Sequence, residues 1–453
     1  MDIYGAVSLK NQEKQTVAIC NMGCKVNSYE AQAMAELLTG AGYQIVDFHE
    51  RADIYLVNTC TVTQIAAKKS RQMIHQAKKR NPNALVIAAG CYVDRDDSLL
   101  QEGVIDIAVP NQNKGDLLAY IEAFQKGKPL EANQKRSLWI TENEKKARAF
   151  LKVQDGCRQF CTYCIIPFVR GPLQSRSIAE CKEEARGLAQ RGYHEIVLTG
   201  IHLSSYGQDA EQSYDLADLI LAVSEIPQVR RIRLGSLEPR MITEEFIHKV
   251  KKTAKLCPHF HLSLQSGCDA TLRAMNRKYS AEEYREAVRL LRIAYPEVAI
   301  TTDIIVGFPG ETQEEHAASV AFVREIGFAE AHVFRYSKME GTAAARRKDQ
   351  IAPEMKKIRS DEMLQAVAEC SQAFMKRMQG KHMTVLLEEM DSQTETWTGY
   401  TPNYMKVAVC GCKENLQPGE EIEVLIQGYE AMHSTNHEAA GLEKILKGVP
   451  IDE

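Results

Sequence analysis

The sequence predicts an α/β protein in three parts: an amino-terminal doubly wound parallel-sheet domain, a central partial (β/α)6 barrel and a carboxyl-terminal small antiparallel β-barrel. Three observations carry this expectation. Apolar strand-like runs alternate with helical patterns from about Thr16 to Gly127. A second βα rhythm then runs from Phe150 to Phe334, and the last part holds only short strand-like runs separated by Gly and Pro. The expected domains span residues 14–130, 143–375 and 378–447.

In the first domain Thr16-Val-Ala-Ile-Cys20 reads as a strand, followed by a loop with Cys24 and a helix from about Ser28 to Thr39. Asp53-Ile-Tyr-Leu-Val57 is a second strand, running into Asn58-Thr-Cys60 and a helix around Ala66–Lys79. Ala84-Leu-Val-Ile-Ala-Ala89 is a third and ends at Gly90-Cys91. Cys24, Cys60 and Cys91 therefore each lie just past the carboxyl end of a strand. In an open parallel sheet those ends share one edge, where ligands bind. Free cysteine is commonly buried, so one such residue carries no message. Three at equivalent positions point to a metal cluster. Cys20, inside its strand, reads as core.

Residues Lys128 to Arg148 turn polar and charged and read as an interdomain connection with a solvated face. Immediately after comes the sharpest local signal, Phe150-Leu-Lys-Val-Gln-Asp-Gly-Cys157-Arg-Gln-Phe-Cys161-Thr-Tyr-Cys164. Thiolates bind soft metals, and this spacing aims three of them at one small object. A cubane of four irons normally takes four thiolates, so three leave one iron open. A zinc knuckle is the competing reading, but no fourth Cys or His follows at zinc-ligand spacing. Phe160 and Tyr163, between the ligands, suit a hydrophobic shell around a cluster.

Beyond this loop, helices are expected over Ile178–Arg191, Leu216–Glu225, Thr243–Lys255, Ala281–Ala294 and Gln313–Ile326. Strands are expected at Glu195–Leu198, Arg230–Leu234, Phe260–Leu264, Ala299–Val306 and Ala331–Phe334. With the strand before Cys157 they make six βα units, and the active site of such a barrel gathers at the strands' carboxyl ends. That rim carries His202, Gly235, Glu238, Gln265 and Gly310, polar or glycine-rich positions suited to a nucleoside with an amino-acid tail. His202 reads as a structural hydrogen-bonder, and Cys268 has no partner at ligand spacing. Cys181, Cys257 and Cys370 read as packing.

A helix around Glu354–Met378 leads into strands at Met383–Glu388, Trp397–Tyr400, Tyr404–Val409 and Glu420–Gln427. Cys410 and Cys412 would share a strand face if the strand continued; packing is the preferred reading over a metal. Trp397, Tyr400 and Tyr404 are candidates for stacking bases or for half-buried packing. With Lys381, Lys406 and Lys413 they make this unit the expected RNA-binding part.

At 453 residues the chain has ample core, with 44% hydrophobic and 26% charged residues. No apolar run is long enough to span a bilayer. Met1-Asp-Ile-Tyr-Gly shows no secretion signal, so thirteen cysteines imply a reducing cytoplasm. A net charge of −4 excludes a global nucleic-acid signature, so RNA binding must come from local patches.

The C-x3-C-x2-C loop after a strand resembles the signature of radical S-adenosylmethionine (SAM) enzymes. The full set of motifs resembles one family among them, the methylthiotransferases: Gly23-Cys24-Lys-Val-Asn27, Val57-Asn-Thr-Cys60-Thr, Gly90-Cys91, Gln154-Asp-Gly-Cys157 through Cys164-Ile-Ile-Pro167, Arg170-Gly171, Ser175-Arg-Ser177, His261-Leu-Ser-Leu-Gln-Ser-Gly267 and Gly307-Phe-Pro-Gly-Glu311. Ser263 departs from this pattern, since related sequences often carry Pro there. The resemblance implies two 4Fe-4S clusters, a radical-generating one on Cys157, Cys161 and Cys164 and an auxiliary, sulfur-carrying one on Cys24, Cys60 and Cys91. SAM would act as both radical source and methyl donor, with Gly235, Glu238, Gln265 and Gly310 as candidate contacts. The last domain would be of the TRAM kind. Gly-Cys-Lys-Val-Asn and Gln-Asp-Gly-Cys resemble the branch acting on N6-threonylcarbamoyladenosine at position 37, in the anticodon loop of tRNA. Sister branches act on isopentenyl-adenosine and on an aspartate of a ribosomal protein. An electron donor such as a flavodoxin or ferredoxin, and a sulfur donor, are implied as partners. From another class, an iron–sulfur RNA-binding protein without turnover is the alternative.

Overall fold

A computed structural model describes residues 14–96, 98–129, 136–141, 147–211, 213–391, 394–412, 415–433 and 442–451. The expected connection from Lys128 to Arg148 lies partly outside these residues, as does Lys413. The chain divides into two compact units, Met1–Trp139 and Ile140–Glu453.

The first unit runs β1 (Thr16–Asn21), α1 (Lys25–Gly40), β2 (Gln44–Val46), β3 (Ile54–Thr59), α2 (Gln64–Arg80), β4 (Leu85–Gly90), α3 (Ser98–Gln101), β5 (Ile107–Val109) and α4 (Leu117–Gln125). Every pairing is parallel, and the strand order is β2-β1-β3-β4-β5. All six residues of the central β3 are buried, the apolar Ile54–Val57 as a strand covered on both faces requires and the polar Asn58 and Thr59 with them. Its side chains alternate between two cores. Tyr55 and Val57 join Ile74 and Ala77 of α2 on one face. Ile54 and Leu56 join Met34 and Leu38 of α1 and Ile121 of α4 on the other. The chain reverses direction across the sheet between β1 and β3, the switch point at which such sheets open a crevice.

The second unit begins with β6 (Arg148–Asp155), α5 (Ile166–Val169), β7 (Gln174–Ser175), α6 (Ile178–Gln190), β8 (Glu195–Gly200), α7 (Leu216–Ser224), β9 (Arg231–Leu234) and β10 (Ser236–Leu237). It continues with α8 (Glu244–Val250), β11 (His259–Leu262), α9 (Asp269–Ala274), α10 (Ala281–Ala294), β12 (Ala299–Val306), α11 (Gln313–Ile326), β13 (Glu330–Arg335) and α12 (Pro353–Met378). β6, β8 and β9 pair in parallel, as do β10, β11, β12 and β13. β9 and β10 are one strand that changes partners at Gly235: Leu234 pairs with Leu198 of β8, whereas Ser236 pairs with His261 of β11. β7 lies antiparallel on the outer edge of β6. Capping boxes Ser177/Glu180, Asp215/Asp218, Ser280/Glu283 and Thr312/Glu315 start four of the helices, so the helix-opening side of the rim is written in the local sequence.

A closed barrel of β14 (His382–Asp391), β15 (Thr396–Tyr400), β16 (Lys406–Val409), β17 (Glu421–His433) and β18 (Leu442–Pro450) completes the unit. It is not wholly antiparallel, because β16 and β18 pair in parallel to close it. β18 is the strand that sequence reasoning missed: Leu442, Ile445 and Leu446 stand at helical spacing. Cys410 and Cys412 lie past the end of β16 and share no strand face; Cys412 packs against the barrel core.

This barrel docks on the amino ends of the parallel strands, away from the rim. Arg231 donates to the Tyr400 carbonyl over 3.0 Å, and Arg233 donates to that of Pro402 over 3.0 Å. Arg233 also pairs with buried Glu195, and Arg148 pairs with Glu388. Tyr400 and Tyr404 stack with ring centres 4.8 Å apart, and the Arg148 and Arg233 guanidiniums lie over them. These tyrosines are thus occupied within the protein. Trp397 is buried in the barrel core, and Lys381 is paired with Glu297.

Candidate metal centres and the cofactor rim

The first thiol triad stands on the carboxyl edge of the amino-terminal sheet. Cys24 caps α1 after β1, Cys60 directly follows β3, and Cys91 directly follows β4. The strands are neighbours in register, with Asn21 opposite Asn58 and Thr59 opposite Gly90. The backbone at Gly23 has φ +107° and passes so close to Cys60 that a Cβ would lie 2.8 Å from its Sγ. Tyr92 N–H donates to Thr59 Oγ1 over 3.1 Å, tying the Cys91 turn to the end of β3. Cys24 is exposed, while Cys60 and Cys91 are buried.

Beneath this edge lies a layer of buried polar groups. Asn27 Nδ2 donates to the Met22 and Thr59 carbonyls, and Asn58 Nδ2 to that of Asn27. Lys114 and Glu30 form an ion pair with both side chains 1% exposed. Asn111 Nδ2 donates to Cys91 Sγ over 3.4 Å and to Asp94 over 2.7 Å. A buried ion pair costs desolvation that an apolar pair would avoid. Its place under three thiols suits a site that carries charge. Asn111 and Lys114 were invisible in the sequence, because they sit in a 3-10 turn after β5, remote from any cysteine spacing.

The second triad is a single loop after β6. Gly156 has φ +70°, and a Cβ there would lie 1.9 Å from the Pro172 carbonyl oxygen, so no other residue fits. Gln154 Nε2 donates to the Gly156 carbonyl over 2.7 Å, and Arg170 clasps Asp155 over 3.0 Å. At the far end Thr162 N–H donates to the Met275 carbonyl, and Ala344 N–H donates to that of Thr162. Burial pushes the Cys164 thiol up to about 12 and raises that of Cys157 too. Each stays protonated at neutral pH unless a cation takes the proton's place, as iron does. Tyr163, partly buried, meets the Phe308 ring edge to face with centres 6.4 Å apart and packs into apolar surroundings. Phe160 does not: the residue is 53% exposed.

Arg277 links this loop to the rim. Its Nη1 donates to Cys161 Sγ over 3.2 Å, its Nη2 to Glu238 Oε1 over 2.9 Å and its Nε to Tyr279 over 3.0 Å. Glu238 Oε2 lies 3.5 Å from His202 Nε2. Burial acts to raise the Glu238 pKa, but the His202 imidazole beside it and the Arg277 charge outweigh it and hold the carboxyl below its usual range. The His202 backbone N–H donates to Gln154 Oε1, and its Nδ1 lies 2.6 Å from Ser205 Oγ. Gln265 has φ +64° and is laced to β12 through Asp303 and Ile305. Gly235 N–H donates to the Leu198 carbonyl. At Gly310, φ +77°, a Cβ would lie 2.4 Å from Arg347 Nη2 and 2.5 Å from Asp349 Oδ2.

Among the described residues no three His, Cys, Asp or Glu side chains close on a single ion. A cubane gives each thiolate its own iron, so its ligands stand further apart than donors to one ion. Each triad also has N–H donors on its sulfurs, Asn111 on Cys91 in one and Arg277 on Cys161 with the Gln159 N–H on Cys157 in the other, the kind of bond that tunes cluster potential. The residues fit iron–sulfur clusters.

Residues 151–323 match the Radical SAM superfamily, and residues 16–109 match the uncharacterized protein family UPF0004. The threonylcarbamoyladenosine tRNA methylthiotransferase MtaB of Bacillus subtilis is 37% identical over 427 residues, covering 91% of this chain and 94% of that protein. The tRNA-2-methylthio-N6-dimethylallyladenosine synthase of Oceanobacillus iheyensis is 36% identical over 421 residues, covering 89% and 80%. Among solved structures, the radical SAM methyltransferase TsrM from Kitasatospora setae is alike in fold, with TM-score 0.57 and 14% identity over 73% of this chain and 77% of that one. No helix among the described residues is long and apolar enough to cross a membrane. This chain belongs to the radical SAM methylthiotransferase family, enzymes that use SAM and 4Fe-4S clusters.

Proposed function

We propose that the enzyme converts N6-threonylcarbamoyladenosine at position 37 of tRNA to its 2-methylthio derivative. The observation that carries the reading is the likeness to a threonylcarbamoyladenosine-directed relative along nearly the whole chain. Residues 14–130 would hold the auxiliary cluster, residues 143–375 the radical chemistry, and residues 378–447 would bind RNA. Cys157, Cys161 and Cys164 would hold one cluster, and Cys24, Cys60 and Cys91 the other. Bound there, the two clusters would supply the electron that cleaves SAM and the sulfur that replaces the C2 hydrogen of adenine. That hydrogen is beyond the reach of any side-chain base, which is why a cofactor is needed.

The protein's own part is placement. Arg277 offsets the charge of the Cys161 thiolate and fixes Glu238. Held ionised, the Glu238 carboxylate suits the ammonium group of an amino-acid tail, and Gly235 and Gln265 leave backbone beside it. Gly310 is the fourth proposed contact. Tyr163 and Phe308 keep water from the radical side. A protein electron donor such as a flavodoxin or ferredoxin, and a sulfur donor, complete the cycle.

Nucleoside mass spectrometry of tRNA from cells with and without the gene tests this. Loss of 2-methylthio-N6-threonylcarbamoyladenosine, with its unmethylthiolated precursor accumulating, is expected. Loss of the dimethylallyl-type methylthio nucleoside instead would move the enzyme to the other branch. An unchanged tRNA profile with a lost ribosomal-protein modification would overturn the tRNA reading.

A further inference from the structure

Two of the more exposed large apolar side chains among the described residues belong to the radical loop or directly follow it. Phe160 is 53% exposed and Phe168 62%, and their rings meet edge to face with centres 5.9 Å apart. Single exposed aromatics need no explanation, but a mutual pair left in water loses burial that each could have had. Phe160 also sits at φ +49°, a left-handed backbone that a bulky side chain rarely adopts. Asn276 Nδ2 donates to the Phe160 carbonyl over 3.0 Å and holds that conformation. Its neighbour Cys161 is buried and Tyr163 packs, partly buried, against the Phe308 cluster, while Phe160 turns out. Strain kept at a cluster loop is a reason to look for a role.

We propose that Phe160 and Phe168 form a stacking platform for an unpaired base of the substrate's RNA loop, an inference that rests on the tRNA reading above. The charge nearby has the matching sign. Arg158, two residues from Phe160, and Arg346, in the turn bonded to Thr162 through Ala344, are both exposed and have no acidic partner among the described residues. Aromatic faces beside guanidinium groups are how single-stranded nucleic acid is held, since every base has a face to stack. A base that undergoes chemistry is drawn out of its stack, which leaves a neighbour without a partner. A protein partner would need on the order of 1,000 Å² of interface, far more than two rings offer. One base needs one ring face.

The test is the affinity of the cluster-loaded full-length enzyme for an RNA anticodon stem-loop carrying N6-threonylcarbamoyladenosine, at fixed salt. Phe168→Leu and Phe160→Leu should each weaken binding about tenfold, while Phe168→Tyr should bind as the parent does. Iron content equal to the parent's shows that the loop has kept its cluster; if Phe160→Leu loses iron, Phe168→Leu, outside the cysteine triad, carries the test. Leucine variants with parental RNA affinity would overturn the platform. If they were also reduced more slowly by a flavodoxin, the rings would belong to a redox partner instead. A parent enzyme that does not bind the stem-loop would overturn the tRNA reading and the platform with it.

Discussion

Cys157, Cys161 and Cys164 come from one short loop, whereas Cys24, Cys60 and Cys91 are gathered from three strand ends. The loop triad is shaped first by constraints within reach of itself, the left-handed Gly156 and the Arg170–Asp155 clasp. The strand-end triad depends on sheet register. A one-residue slip of β3 against β1 or β4 would turn every side chain of that strand to the opposite face. The loop site should therefore fail through local damage, and the strand-end site through damage to the sheet that sets its register.

The largest effects should come from removing the thiols. Replacing Cys157, Cys161 and Cys164 by Ala should cost about half the iron and all production of 5′-deoxyadenosine from SAM. Replacing Cys24, Cys60 and Cys91 should also cost about half the iron. Because that second variant keeps the loop and its open iron, the reduced protein should still cleave SAM while making no methylthiolated tRNA. Full iron content in the strand-end variant would end the case for two separate sites.

Next in size is Glu195, at the amino ends of the strands and outside both triads. Glu195→Gln leaves Arg233 buried without its counter-charge and should destabilise the second unit by about 3–5 kcal/mol in denaturant unfolding. Burial pushes the Glu195 pKa up, but Arg233 and its neighbours prevail and hold it below 4.5. A depressed carboxylate contributes its full stabilisation above that unfolded value, and the contribution is lost as pH falls through the folded one. Stability should therefore drop with acidification below about pH 4.5 in the parent and less so in the variant. Equal slopes would show that the ion pair contributes nothing.

Glycine substitutions compare the two sites directly. Gly156→Ala drives a Cβ into the Pro172 carbonyl and should cost about 3 kcal/mol, with SAM cleavage lost. Gly23→Ala sets a Cβ 2.8 Å from both the Cβ and the Sγ of Cys60, at a φ of +107° that alanine rarely adopts, so it should cost about 2–3 kcal/mol and reduce only the iron of the strand-end site. Mössbauer or EPR spectra that assign the lost iron would decide. Smallest are the effects of the two side-chain sulfur donors. Arg277→Met should lower the potential of the loop cluster, and Asn111→Leu that of the other by less, since a charged donor is roughly twice as strong. Potentials that move together would break the separation.

Much of this was legible in the sequence because it is local. The C-x3-C-x2-C spacing, the apolar runs that end at Cys24, Cys60 and Cys91, and the S-x-x-E pattern of Ser177 and Ser280 are each readable within a few residues. β18 went unassigned, because Leu442, Ile445 and Leu446 do not alternate as the apolar residues of a strand do. Periodicity also left Tyr400 and Tyr404 open between base stacking and packing, which the arginines of β6 and β9 resolve.

What the sequence by itself determined is the order of elements and the three-plus-three grouping of thiols, because hydrophobic period and ligand spacing are properties of neighbouring residues. Only the tertiary structure decided that Arg277 reaches Cys161, that Asn111 reaches Cys91 and that Phe160 faces solvent while Tyr163 packs against Phe308. Those outcomes depend on which distant segments pack beside each sulfur and ring. A hydrogen bond between residues far apart in the chain leaves no mark on the spacing of either partner.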